Sequence, residues 1–313
     1  MLKNKKIIAI QGDDISAINV KTDTTLMLAL EAQKRGYSIY WYKVSDFFIF
    51  INGNVFANTK IVKFNDNKKK FYKVIGSKYF CLSNAKYILM RQNPPFNMDY
   101  ITGTFFLSCL NMKTKVINNP NAVRNVSEKF YSAQFHKFMP DTIFTKDIKI
   151  ITEFLKKNKK IVLKPIHGYS GKNILFLQKM NLKKVVKYLR QHSHVMVQKF
   201  LPSIKKGDKR IFIINGKVKG CITRVPSKNS NLSNLSQGGT AIKCQLTIKE
   251  KKIASIIAQK LKKDKIFFAG IDFVDGYLIG DINVTSPTGL PQYKILTGIN
   301  LAEYFWDELE KLK

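Results

Sequence analysis

Phe268-Ala269-Gly270-Ile271-Asp272-Phe273-Val274, then Asp275-Gly276, then Tyr277-Leu278-Ile279-Gly280-Asp281-Ile282-Asn283-Val284-Thr285-Ser286-Pro287-Thr288, is the stretch on which the fold turns. Two runs rich in β-branched and aromatic residues, joined by Asp-Gly, predict a tight β-hairpin, because that dipeptide tolerates the positive φ angles such a turn requires. Asp272 on one arm is expected to face Asp281 and Asn283 on the other. Residues 281 and 283 are two apart on a strand, so both point to one face, where carboxylate and amide oxygens suit a hard cation such as Mg²⁺. The plainer alternative is two surface acids near a turn.

Around this hairpin the chain has the bulk of a folded protein. Its 313 residues, 45% hydrophobic and 12% aromatic, are enough for a well-buried core and two or three compact units, and exclude a disordered chain. The formal charge of +33, from 54 Lys plus Arg against 21 Asp plus Glu, raises nucleic acid or an anionic membrane as partner. The lysine clusters at Lys5-Lys6, Lys68-Lys69-Lys70, Lys156-Lys157, Lys159-Lys160, Lys183-Lys184, Lys251-Lys252 and Lys262-Lys263 are spread along the chain and form no basic tail. A general Lys and Asn bias explains them better than a binding stripe, so no specific nucleic acid partner is expected, only weak salt-sensitive association. Cys81, Cys109, Cys221 and Cys244 stand far apart, with no Cys-x-x-Cys pair, and read as reduced thiols of a cytoplasmic protein. No apolar run approaches the length of a membrane span and no signal-peptide core follows Met1, so no membrane partner is expected.

Strand, helix and strand alternate at the start: Lys6 to Ile10, Thr22 to Arg35 with Thr22 or Asp23 as cap and Gly36 as terminator, then Tyr37 to Tyr42. This order signals a parallel α/β unit. Tyr87 to Met90 and Lys115 to Ile117 repeat it around a helix starting near Asp99, and the polar segment Asn58 to Lys70 reads as a loop over the sheet edge. The first domain, 1–119, closes near Asn119-Pro120. Beyond it come helices at Glu128 to Phe138 and Lys149 to Asn158, strands at Lys160 to Pro165 and Ile174 to Gln178, a basic helix near Leu182 to Arg190, and a strand from Val195 to Phe200. A hairpin around Gly216 follows, then a Ser, Asn and Gly-rich loop from Pro226 to Thr240, a helix from Thr247 to Lys262, the opening hairpin, and an amphipathic helix from Asn300 to Leu312.

Two further pieces carry chemistry. Strand 161–165 delivers Lys164 just before His167-Gly168-Tyr169-Ser170-Gly171-Lys172, a turn whose small residues let backbone N–H groups approach a phosphate. It lacks the Walker A spacing. Gly207-Asp208-Lys209-Arg210 places an acid and an Arg at the entry to a strand, suited to a ribose hydroxyl and a phosphate, or to a surface ion pair.

The order of these pieces resembles the ATP-grasp fold: lysine and Gly turn, Val197-Gln198-Lys199-Phe200-Leu201-Pro202, Asp-Lys-Arg, a Ser/Asn/Gly loop, then Asp...Asp-x-Asn in a hairpin. Within that superfamily the chain is similar to bacterial glutathione synthetase, on Asn19 to Thr25, Glu31 to Tyr37, Ile88 to Arg91 before Asn93-Pro94-Pro95-Phe96, Ser127-Glu128-Lys129, Lys206 to Arg210 and Ile282 to Thr288. The resemblance runs from about Ile7 to Leu312. It implies an α/β protein, with an N-terminal parallel-sheet (pre-ATP-grasp) domain followed by an ATP-grasp domain (120–313) of two α+β lobes, a central lid lobe (120–200) and a C-terminal metal-binding lobe (201–313). It also implies an ATP-dependent ligase that joins γ-glutamylcysteine to glycine through an acyl-phosphate, with ATP and Mg²⁺ (or Mn²⁺) as cofactors and a homotetrameric assembly.

By the same resemblance, Lys129 and Lys164 hold ATP phosphates together with the turn at Gly168, Ser170 and Gly171. Gln198, Lys199, Phe200 and Leu201 line the adenine pocket, Asp208 meets the ribose, and Arg210 the transferring phosphoryl group. Asp281 and Asn283, helped by Asp272, hold the metal. Arg91 and Arg224 bind substrate carboxylates, Arg224 joining Arg210 as a catalytic candidate, and the Pro226 to Gly239 loop, with Asn234, Gly238 and Gly239, closes over the acyl-phosphate beside Ser286. The chain departs from the family pattern in having Asp281 where Glu is usual, a hairpin one residue longer between Asp272 and Asp281, His167-Gly168-Tyr169-Ser170-Gly171 as the phosphate turn, Arg91-Gln92-Asn93 before the Pro-Pro pair, Leu232-Ser233-Asn234 in the closing loop and Pro291-Gln292 after Ser-Pro-Thr. Because these exchanges remove charge, a diverged ligase for another acid or amine, or a non-enzymatic basic binding protein, stays open at this stage.

Overall fold

The computed structural model describes residues 6–46, 48–65, 70–111, 113–228 and 232–312, without the side chains of residues 48, 49 and 236. The sequence readings at Lys5, Lys68, Lys69 and the middle of the 226–240 loop lie partly outside them.

The N-terminal part is built on one seven-stranded sheet. Its centre is parallel: β1 (Ile7–Gln11) lies between β2 (Ser38–Tyr42) and β6 (Tyr87–Met90), with β7 (Lys115–Ile117) beyond β6. Helix α1 (Thr24–Lys34) makes the first crossover, its N-terminus capped by Asp23, whose carboxylate accepts from Leu26 N at 2.7 Å, an arrangement worth about 1 kcal/mol. Helices α2 (Met98–Ser108) and α3 (Pro120–Asn125) follow, each capped by an Asn side chain. Of the segment read as a polar loop from Asn58 to Lys70, the residues Asn58 to Phe64 are instead strand, and 66–69 lie outside the described residues. β3 (Phe48–Ile51), β4 (Asn54–Phe64) and β5 (Tyr72–Cys81) form an antiparallel extension attached through β4 to β2.

The middle of the chain forms a four-stranded antiparallel sheet, β8 (Thr142–Thr145), β9 (Ile161–Pro165), β10 (Leu175–Leu177) and β11 (Val195–Lys199), in the order β10-β9-β11-β8. Helices α4 (Ile148–Asn158) and α5 (Leu182–His192) cover one face, burying Ile151, Leu155, Val185 and Tyr188 against Leu163 and Val197. The helix expected over Glu128 to Phe138 is a 3-10 helix from Phe130 to Phe138, interrupted at Phe135, whose φ of −110° and ψ of 24° are not helical.

The C-terminal part is a five-stranded antiparallel sheet of β12 (Asp208–Ile214), β13 (Lys217–Val225), β14 (Thr240–Lys243), β15 (Phe268–Val274) and β16 (Tyr277–Asn283), in the order β14-β13-β12-β15-β16. α6 (Ile248–Lys263) covers one face and α7 (Leu290–Thr297) the other. Asp275 and Gly276 both have positive φ, 52° and 76°, so the hairpin turn forms as the Asp-Gly pair predicts. Its register is offset from the expected one. Gly270 is opposite Asn283 and Ile271 opposite Ile282, after which the ladder shifts, so Asp272 sits at the irregularity, within electrostatic reach of Asp281 but not in a regular pair with it. The irregularity includes Gly280, whose φ is 87° and where an added Cβ would lie 2.4 Å from Met196 Cε. The longer hairpin thus accommodates its additional residue by a local bulge that only glycine enters without strain.

The final helix, α8 (Leu301–Glu310), returns to the N-terminal part. Trp306 is fully buried, donates from Nε1 to Leu28 O at 2.9 Å and stacks 5.3 Å from Tyr37. Arg35 binds Glu31, Asp307 and Glu310 beside it. A second clasp is Asn118: its amide donates to Phe268 O and Val284 O, and its oxygen accepts from Phe267 N and Phe268 N, all within 2.9 Å.

Candidate functional site

The three sheets converge on a cleft of about 740 Å³, within the range of small-molecule sites. Its polar end is assembled from the middle and C-terminal parts. From the segment before the 3-10 helix comes Lys129, whose Nζ donates to the carbonyl of Gly168 and lies 3.3 Å from Asp281 Oδ1. From β9 comes Lys164, buried, with Nζ donating to Ile279 O at 2.7 Å and Gln198 Oε1 at 3.2 Å, and 3.6 Å from Asp281 Oδ2. Burial pulls the Lys164 ammonium below its usual range, with Asp281 opposing. Burial works against the Asp281 carboxylate as well, but Lys129 and Lys164 together hold it down to about 2.

Behind Asp281 lies a second ionic layer. Arg210 on β12 grips Asp272 on β15 with two N–H groups, Nη2 to Oδ2 at 2.9 Å, and Arg224 on β13 grips Asp208 from Nε at 2.8 Å while reaching Asp272 Oδ2 at 2.8 Å. The Arg210 side chain lies over Gly270, where a Cβ would come within 2.8 Å of its Cδ, so a glycine at 270 makes room for the guanidinium. All four residues are nearly inaccessible to solvent yet line the cleft. Burying this many charges is tolerable only because each is paired. The same arrangement leaves guanidinium groups pre-set where a phosphate would enter.

Asn283 points to the same cleft, and its Oδ1 is buried without a hydrogen-bond partner. An unsatisfied buried carbonyl oxygen costs about 1–3 kcal/mol, and a cation would satisfy it. With the ionised Asp281 two residues away on the same face, the donor set suits a hard divalent metal. Among the described residues no group of three or more His, Cys, Asp or Glu side chains stands in metal-ligating array, and both oxygens of Asp272 are occupied by guanidinium groups.

The cleft also has an apolar lining, from Val162, Ile174, Phe176, Phe200, Leu201 and Val274, with Gln198 and Lys199 among the residues that line it. Gln198 is locked by its amide, which donates to Thr142 Oγ1 at 2.9 Å and accepts from Lys164. Gly168, Ser170 and Gly171 also line the cleft, with Asn234 packed so closely on Gly171 that a Cβ there would sit 2.6 Å from Asn234 Oδ1. Ser286 lines the far corner beside Asn19, Thr22, Asp23, Asn93 and Pro94.

Three of the sequence-derived candidates are not on the cleft wall. Gly238 and Gly239 instead form the turn whose backbone N–H groups donate to Leu235 O and Asn234 O, holding Asn234 in place. Arg91 is buried beneath the corner, donating to Thr25 Oγ1 at 3.0 Å and Pro287 O at 2.9 Å, with Nη1 lacking a partner. Burial lowers its pKa to about 10. One residue quoted only as part of a motif belongs to the site. Glu128 lines the cleft, its carboxylate accepts from Thr285 Oγ1 at 2.9 Å, its backbone carbonyl accepts from Ile282 N, and burial pushes its carboxyl up. Only its neighbour Lys129 marked it in the sequence.

Comparison with known proteins gives concordant matches. Residues 7–124 match the family model for the prokaryotic glutathione synthetase N-terminal domain, and residues 128–298 that for the prokaryotic glutathione synthetase ATP-grasp domain. The chain is 37% identical to a glutathione synthetase of Mesorhizobium japonicum over 97% of each sequence. It is 32% identical to one of Escherichia coli over 97% of each. Among solved structures, D-cycloserine synthetase DcsG superposes with a TM-score of 0.68 at 15% identity, covering 98% of this chain and 100% of that one. The ATP-grasp ligase PsnB, complexed with a minimal precursor, Mg and ADP, superposes with a TM-score of 0.61 at 14% identity, covering 99% and 98%.

Proposed function

The chain belongs to the prokaryotic glutathione synthetase family, ATP-dependent ligases of the ATP-grasp fold, and from that premise we propose how its cleft divides the work. The enzyme uses ATP to join the carboxylate of γ-glutamylcysteine to the amine of glycine, giving glutathione. A carboxylate is a poor electrophile, so its oxygen first takes the γ-phosphoryl group, ADP leaves, and the glycine nitrogen then displaces phosphate from the acyl carbon. Charge on the moving phosphoryl group is the main obstacle, and fixed cations answer it better than a protein nucleophile.

In this reading Lys129, Lys164 and the turn at Gly168, Ser170 and Gly171 hold the ATP phosphates. Arg210 and Arg224 neutralise the transferring group, and Asp208, held in place by Arg224, accepts from the ribose. The apolar lining with Gln198, Lys199, Phe200 and Leu201 takes the adenine. Asp281 and Asn283 hold Mg²⁺ or Mn²⁺, with Asp272 joining once a phosphate draws Arg210 away. A bound divalent cation supplies charge neutralisation to the phosphate oxygens. Arg91, with its unpartnered N–H, steadies a substrate carboxylate at the corner formed by Ser286, and Asn234, braced by Gly238 and Gly239, shields the acyl-phosphate from water.

The observation that carries this assignment is the meeting of Lys129, Lys164 and Asp281 where the middle and C-terminal sheets approach, with two buried arginines behind them. We divide the chain functionally at 119/120, the second part comprising the lobes 120–200 and 201–313. We also place the enzyme in the cytoplasm as a homo-oligomer, a tetramer by resemblance. The described residues contain no helix long and apolar enough to cross a membrane, and the exposed Val74, Ile75 and Tyr79 of β5 offer an apolar face for a second copy. Purified protein given ATP, Mg²⁺, γ-glutamylcysteine and glycine is expected to release phosphate and glutathione in equal amounts. Phosphate release that requires a different acid or amine would overturn the substrate assignment.

A further inference from the structure

The edge of the C-terminal sheet brings two thiols together. β13 and β14 run antiparallel with Ile222 opposite Lys243 as the last pair of their ladder, which leaves Cys221 and Cys244 as the next residue along each chain, the positions a continued register opposes. Directly opposed residues of an antiparallel pair project to the same face with Cα atoms about 4.5–5.5 Å apart, inside the span of a disulfide. Both pack against the apolar cluster beneath α6, and each shifts the other's titration, Cys244 holding the Cys221 thiol above its usual range and Cys221 holding Cys244 below it. The two differ in access: Cys221 is buried and Cys244 half-exposed. The Thr223 hydroxyl and the Lys209 ammonium beside Cys244 also favour its ionised form, and that ammonium is fixed by Gln245 O at 2.9 Å and Glu250 at 2.7 Å. Cys244 is therefore the member set up as a thiolate, the form that attacks a disulfide. Neither sulfur has a place in the ligase reaction.

We propose that Cys221 and Cys244 form a redox-active dithiol, which small-molecule disulfides convert reversibly into a cross-strand disulfide tying β14 to β13. The Cys244 thiolate attacks one sulfur of R–S–S–R, forming a mixed disulfide and releasing RS⁻, which takes up a proton. Cys221 then loses its proton to solvent and attacks Cys244 Sγ, expelling the second RS⁻. Two cysteine thiols and one R–S–S–R become one protein disulfide and two R–SH, with two electrons passing to the oxidant. The new bond closes residues 221–244 into a ring that contains Arg224 and the cleft-lining Leu232 to Leu235. Because the ligase product is itself a thiol, its oxidised form belongs to the class of reagent that sets this bond. That last point rests on the proposed reaction; the thiol chemistry does not.

The test is incubation of the full-length protein with oxidised glutathione, followed by alkylation and peptide mass spectrometry, which does not use turnover. The expected result is a loss of two hydrogens per chain, a peptide cross-link between positions 221 and 244, and its disappearance with dithiothreitol. Cys221→Ser should trap a stable mixed disulfide on Cys244, whereas Cys244→Ser should leave Cys221 unmodified in the folded protein. Absence of the cross-link in the wild-type protein, or mixed disulfides confined to Cys81 and Cys109, would overturn the proposal whatever the variants do.

Discussion

Lys164 Nζ and Asp281 Oδ2 lie 3.6 Å apart, although one side chain grows from the middle sheet and the other from the last. The pair joins two lobes across the polar end of the cleft, with its lysine also tied to Ile279 O. Lys164→Met keeps the aliphatic stem and removes the charge. Turnover should fall by about 10²–10³-fold, the usual loss on removing one donor to developing negative charge, with little change in melting temperature because Lys129 still neutralises Asp281. A coupled ADP assay beside calorimetry checks both.

Asp281→Ala and Asn283→Ala should each abolish turnover while leaving the fold intact. Neither side chain packs in the apolar core, and Asn283 Oδ1 makes no bond whose loss would be felt. Turnover of either variant at wild-type rate, across a Mg²⁺ titration, would remove the metal assignment.

Gly280→Ala places a Cβ in the left-handed region and against Met196 Cε. Strain and overlap together should cost about 2–4 kcal/mol. Relief of the overlap moves the neighbouring Asp281, so the concentration of Mg²⁺ needed for half-maximal turnover should rise as the urea midpoint falls.

Asn118→Ala breaks four buried hydrogen bonds and orphans the backbone groups of Phe267, Phe268 and Val284. A loss of about 2–4 kcal/mol is expected, read from urea unfolding. The KM for ATP should stay near its wild-type value, since Asn118 does not line the cleft.

Where the chain spells out local geometry, it could be read directly. Asp275-Gly276 has one comfortable turn, and Asp281 and Asn283 share a face for want of any alternative on a strand. The strand Asn54–Phe64 escaped because its parity changes. Val55, Ala57 and Thr59 are buried on one phase, and after the register shift at Ile61 and Val62 the buried residues are Val62 and Phe64. With Thr59 and Ala57 as inward residues, hydropathy alone has little to detect. The roles of Glu128 and Asn118 depend on partners roughly 150 residues away, a distance over which no local pattern carries information. The offset that pairs Asn283 with Gly270 was likewise invisible, since a bulge moves register without altering composition.

The docking of α8 on α1 has a consequence for synthesis on the ribosome. Residues 7–42 emerge ahead of α8 and can pair their strands, but the groove that receives Trp306 stays open until residues 301–310 have been translated. The α1 face is thus sealed long after it is made, and a nascent chain stalled shortly before Leu301 would display Leu28 and Tyr37 to chaperones and proteases.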